Sequence, residues 1–276
     1  RDASFFKLDN STLGYTFLRN ELDIYQQGIR TYNVKYRQHT ASFDPFNFRF
    51  RNFTVSAGLL WDYFDYYGGL LSSINLPFSL SDDHYLSYHL SSDLNTEDHW
   101  YFPTCGTRLH LAYAYRTDNL IGLGDAPGLS DLSFHWRINA SPAARFTLQP
   151  MLYGRLLLAG EAPLAFSNAI GGDWFGHFVD QQMPFPGIGG TELADPLFGS
   201  LQLQGQLRIL NNHYVLLAAA AAVEGETFAD LAANRPLLGV QLGYSYHTPF
   251  GPIDLRTGYS NHTGRLNLFL SIGHRF

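Results

Sequence analysis

The sequence predicts an all-β chain, and three observations carry that reading. Apolar residues recur with period two in one segment after another, as they do when side chains alternate between the faces of a strand. Turn residues punctuate those segments at short intervals, and helical periodicity is hard to find. The two faces also divide sharply: one is Leu, Tyr, Ile and Phe, the other Gln, Ser, Asn, His and Arg. A soluble sandwich of this size would carry Lys and Glu outward. An apolar exterior around a polar interior predicts a transmembrane antiparallel β-barrel.

The elements follow in order. Residues 1–10 read as a tether or partial strand. Leu13, Tyr15 and Phe17 alternate with Gly14 and Thr16, and Tyr32, Val34 and Tyr36 alternate with Asn33, Lys35 and Arg37. Phe46, Phe48 and Phe50 are continued, after a slip at Asn52 that predicts a bulge, by Phe53, Val55, Ala57, Leu59, Trp61 and Tyr63. Tyr63, Phe64, Tyr66 and Tyr67 beside Gly68-Gly69 predict an aromatic girdle at a membrane interface. Residues 70–80 and 85–92 read as two strands. Leu109, Leu111, Tyr113 and Tyr115 form the next, then Leu132, Phe134, Trp136 and Ile138. Residues 146–158 follow, with Pro150 awkward for a ladder.

Residues 163–197 break the pattern with about 35 residues rich in Gly, Pro and aromatics, a length uncommon for a loop without a role. Five clear strands complete the chain. In the last, Leu266, Leu268, Leu270, Ile272 and Phe276 share one face, and terminal Phe276 reads as an assembly signal. At ~20 residues per strand and turn, the length holds about fourteen strands, in a range of about twelve to sixteen. Residues 1–276 read as a single barrel domain.

Composition narrows the function. Charged residues are 15% and aromatics 16% of 276 residues, with mean hydropathy −0.13. The longest apolar run, residues 215–223, is about half the ~18 needed for a spanning helix, so helical insertion is excluded. A net charge of −6 excludes the basic signature of a nucleic-acid partner. The single Cys105 can form neither an internal disulfide nor a cysteine metal site. Arg1-Asp2 is not a signal sequence, so an export signal would have been removed or lie upstream.

Asp93–Leu109 contains Phe102-Pro103-Thr104-Cys105-Gly106 after an acidic run, and this resembles the hairpin motif of the BamA-type surface-antigen barrel superfamily. Pro103 fixes φ and Gly106 permits a twist that other residues resist. Arg19-Asn20-Glu21-Leu22-Asp23, with Gly28, looks like a degenerate copy. Asn168-Ala169-Ile170-Gly171-Gly172, Gln182-Met183-Pro184-Phe185-Pro186-Gly187-Ile188 and Thr248-Pro249-Phe250-Gly251-Pro252-Ile253 follow the order of that superfamily. The chain looks most like the barrels fused behind patatin-like phospholipase domains.

The resemblance implies a bacterial outer-membrane location and a long loop inserted into the lumen, carrying Gly171, Gly172, Trp174, Phe185, Pro186 and Gly187. It implies partners among outer-membrane lipid, substrate proteins and assembly or translocation machinery, and no cofactor. The family's loop tip carries an Arg that reaches into the lumen, and Phe185-Pro186-Gly187-Ile188 has none.

The polar-face arginines Arg108, Arg116, Arg137, Arg155, Arg208 and Arg256 face the lumen, where they would line a pore, hold the loop, or pair with acids such as Asp254. No G-x-S-x-G nucleophile elbow occurs, so the chain itself is not read as an enzyme. Function is expected in protein insertion or translocation, or in anchoring a patatin-like domain; a passive porin and a barrel phospholipase are the alternatives.

Overall fold

The computed structural model describes residues 8–9, 11–68, 83–159 and 162–273. Twelve long strands dominate: β1 (Thr12–Gln26), β2 (Ile29–Phe50), β3 (Phe53–Gly68), β4 (Asp83–Asn95), β5 (Gly106–Thr117) and β6 (Leu129–Ala143), then β7 (Phe146–Leu158), β8 (Leu197–Leu210), β9 (His213–Gly225), β10 (Leu237–Thr248), β11 (Gly251–Ser260) and β12 (Leu266–Ile272). Each pairs antiparallel with its sequence neighbour in one continuous sheet. The sheet curls until its edge hairpins meet: a Cβ on Gly28, in the β1–β2 turn, would stand 3.3 Å from Thr263 in the β11–β12 turn.

An even strand number puts the start of β1 and the end of β12 on one rim. That rim carries the turns 51–52, 144–145, 211–212 and 249–250 together with the hairpin 96–105. The opposite rim carries 118–128, 159–196 and 226–236. Outer-membrane barrels have short periplasmic turns and long extracellular loops, which orients the molecule.

The in-and-out assignment holds through the membrane band. Leu201, Leu242 and Leu268 are 60%, 51% and 73% exposed, while Gln202, Gln206 and Gln241 are buried in the interior. Replacing Leu242 or Leu268 with Arg should therefore cost about 2–4 kcal/mol near the midplane, while Gln204→Arg should be nearly neutral. Equal unfolding of both classes on denaturant titration in lipid would refute the assignment.

Several expectations are corrected. Asn52 is in a two-residue hairpin turn rather than a bulge, and the register shifts lie instead at Lys35/Tyr36 and, nearest this turn, at Phe43/Phe46 on β2. Pro45, which has no N–H to give, falls in that gap. The segments around Val34 and Phe48 thus form one strand. Twelve long strands lie among the described residues, within the expected range of twelve to sixteen; the expected strand at 70–80 lies outside the described residues, as do the tether residues 1–7 and 10. Leu8–Asp9 pairs with Phe48 and Asn47 on β2. Pro150 sits inside β7, paired continuously with β8, while the ladder toward β6 skips it.

The girdle also divides. Trp61 and Tyr63 stack outward with rings 8° from parallel, but Phe64 turns inward against Tyr85 and Phe166. Consecutive aromatics on a strand cannot share a face. Near the extracellular rim the pattern inverts: Leu22, Ile24, Val34, Tyr36 and Phe64 point inward and pack on Leu164, Phe166, Ala169 and Val179 of the long loop. Above the bilayer, water receives the outer face and the loop fills the inside, so this end is patterned like a soluble core.

Candidate functional site

The long loop enters the lumen and builds its own small sheet. Ala169–Ile170 pairs with Gln182–Met183 and Thr191–Leu193, and the last extends alongside Ile24–Tyr25 of β1. Its entry is clasped by Arg155 of β7. That guanidinium bonds both oxygens of Asp131 at 2.8 and 2.7 Å and donates to the Phe166 carbonyl at 2.8 Å. Asn168 returns donations to the carbonyls of Arg155, Asp195 and Pro196. Arg116 adds a second guanidinium on Asp131 at 2.9 Å.

The loop tip lies flat on the inner wall. Gly187 has φ +83°, and a Cβ there would be 2.2 Å from the Tyr259 carbonyl carbon of β11. The wall answers with glycine: a Cβ on Gly239 would be 2.1 Å from the Pro186 oxygen, and one on Gly258 would be 2.8 Å from the Gly187 nitrogen. Ala218, Ala220 and Ala222 extend this low relief along β9 and are buried. Phe185 and Ile188 are 1% and 0% exposed. In place of a tip arginine, wall side chains reach loop carbonyls: Tyr153 donates to Pro184, and Asn267 and Thr263 donate to Gly187.

Beyond the tip, Glu192 straps the two edges of the sheet together. Its carboxylate accepts from the Gly28 and Gln27 amides at 2.9 and 3.2 Å and meets His262 Nε2 at 2.5 Å. Turn 27–28 belongs to the first hairpin and His262 to the last. The hydrogen bond to Glu192 raises the His262 pKa above its ordinary value, so the imidazolium persists to higher pH than a free histidine's would. Among the described residues no ladder joins β1 to β12 directly.

From the periplasmic rim the hairpin 96–105 folds under the lumen. Phe102 stacks on Tyr214 of β9 at 4.0 Å, and the Pro103 carbonyl accepts from Gln149 of β7. Gly106, at φ +97°, would set a Cβ 2.2 Å from the Thr96 oxygen, so the turn requires glycine. Asp98 ties the turn. Its slight burial would raise its pKa, but donations from the Thr104 hydroxyl and the Thr104 and Cys105 amides outweigh it and bring the carboxyl to about 2. The proposed copy at Gly28 is a two-residue turn on the opposite rim, so it is not a second instance of this hairpin.

The other arginines are placed as follows. Arg137 grips Glu97 of the hairpin with two 2.7 Å bonds. Arg108 lies 5.3 Å from the Trp100 ring centre. Arg256 faces Asp254 at 3.5 Å and the loop's Asp173 at 3.9 Å. Arg208 is exposed near the strand end and donates to the Ala144 carbonyl across the adjoining hairpin. Gly171 and Gly172 turn the loop at φ +115° and +73°. Trp174 stacks on His177, and the half-exposed Phe178 stacks on the other side. Phe276 lies outside the described residues. Between loop and hairpin remains a cavity of about 960 Å³ lined by Arg108, Arg137, Arg155, Trp174 and Phe175.

Glu192, His262, Asp131, Gly239 and Gly258 were not singled out by sequence reasoning. The two glycines had a readable signal, since an inward glycine inside a strand marks a close backbone approach.

A strand meander with an apolar exterior, a polar lumen and a loop folded into it defines an integral bacterial outer-membrane β-barrel. The chain belongs to the OMP85 superfamily, whose family description matches residues 3–276. It is similar in fold to the crystal structure of BamA from Haemophilus ducreyi lacking POTRA domains 1–3, with TM-score 0.65 at 10% identity, covering 94% of this chain and 58% of that one. A channel from the outer membrane of Pseudomonas putida F1 aligns at TM-score 0.37 and 10% identity, covering 98% and 96%. A search of curated proteins returned no match.

Proposed function

We propose that this barrel acts in the insertion or translocation of proteins at the outer membrane, with the long loop as a plug that closes the resting lumen. The observation that carries this reading is the seat of the loop: its tip is matched to wall glycines while Glu192 holds both sheet edges. A passive porin has no use for such a fitted obstruction, because its lumen conducts continuously. The same architecture would serve a barrel anchoring a patatin-like domain: such a domain joined ahead of β1 would hang on the periplasmic side, where β1 begins.

Deleting residues 173–190 tests the plug. Single-channel conductance in a planar bilayer should be small for the intact protein and should rise on deletion. A large, steady conductance in the intact protein, unchanged by the deletion, would replace this reading with a porin.

A further inference from the structure

The outward face of β1, β2 and β3 changes character within a single rung. Phe17, His39 and Tyr63 stand opposite one another, and the next outward rung toward the extracellular rim is Arg19, Arg37 and Asp65. Below the break, the outward positions of β3 between residues 53 and 63 are apolar or aromatic, which is the ~9–11 residues a membrane-crossing strand needs. Above it the outer face carries Glu21, Lys35 and Asp23. The break therefore marks the headgroup level of the outer leaflet.

At that level two arginines face each other directly, an arrangement that destabilises a sheet unless an anion intervenes. The strip's other cations are matched: Arg37 to Asp65 at 3.1 Å, Lys35 to Glu21 at 3.3 Å and Arg30 to Asp23 at 2.8 Å. Arg19 has no carboxylate partner among the described residues. Its Nε donates to the Tyr67 hydroxyl at 2.9 Å, and the Arg19 and Arg37 guanidinium groups lie 5.4 and 4.8 Å from the centre of the Tyr67 ring. Tyr67 thus holds both forks on the lipid-facing surface, with one positive charge in excess.

We propose that Arg19 and Arg37, positioned by Tyr67, bind a phosphate of the phosphorylated glycolipid that forms the outer leaflet. Guanidinium forks match phosphate oxygens in bidentate geometry and keep their charge at every physiological pH. The aromatic rung just beneath supplies the surface on which the same lipid's acyl chains rest, so the site reads a phosphate that carries an apolar tail rather than free phosphate.

The test is native mass spectrometry of the detergent-solubilised full chain with bis-phosphorylated lipid A, comparing wild type with R19Q/R37Q and with R208Q at the opposite rim. Heat-modifiable gel mobility verifies that all three are folded. Wild type and R208Q should retain lipid A, and R19Q/R37Q should retain about tenfold less, as expected when two charge-assisted contacts are lost. Dephosphorylated lipid A should bind wild type no better than the double variant binds lipid A, and excess inorganic phosphate should not displace the lipid. Equal retention by wild type and R19Q/R37Q would overturn the proposal, as would equally tight binding of phosphatidylglycerol or displacement by inorganic phosphate.

Discussion

Asp131→Asn should destabilise the barrel by about 3–5 kcal/mol, because it strips the carboxylate from two buried guanidinium groups at once. The Arg155 and Asp131 side chains are 5% and 7% exposed, and Arg116 is 15% exposed. Arg155→Met should cost less, since Arg116 still serves Asp131, although the clasp on the Phe166 carbonyl is lost. The double variant should cost clearly less than the sum, because both changes act on one network. Denaturant unfolding in detergent micelles or vesicles measures all three. An Asp131→Asn variant within about 0.5 kcal/mol of wild type, the range of ordinary surface changes, would show that the network bears little of the stability.

Gly187→Val and Gly258→Val should each unseat the loop tip while leaving the strand ladder intact. At Gly187 the left-handed backbone alone costs a β-branched residue about 1–2 kcal/mol, before the collision with the Tyr259 carbonyl 2.2 Å away. At Gly258 the added carbon would meet the Gly187 nitrogen at 2.8 Å, backbone that cannot swing aside as a side chain could. Both variants should conduct more than wild type. Gly199→Val serves as the control, since nothing lies within 4 Å of its added carbon. If Gly258→Val conducts no more than Gly199→Val, the tip does not depend on the smooth wall.

How legible this molecule is in its sequence varies along the chain. From β8 to β12 alternation alone separates the exposed apolar face from the inner polar one, because the outer face of every strand there meets a single environment. In β1 to β3 the same rule misplaced Val34, Tyr36 and Phe64, which pack against Leu164, Phe166 and Val179 from more than a hundred residues away. A periodicity records which residues share a face and is silent on what that face meets.

The class is legible locally, in period-two strands, a charge-poor exterior, and one aromatic loop too long and too apolar to be left in water. The sequence also shows that the loop tip lacks an arginine. What replaces it emerges in the folded barrel, because Asn267, Thr263 and Tyr153 reach the tip carbonyls across separations of 30 residues or more. Likewise Glu192 became a strap only when curling of the sheet brought Gly28 and His262 to the same carboxylate. Contacts of this kind depend on where the barrel closes, and closure is a property of the whole sheet that no local pattern encodes.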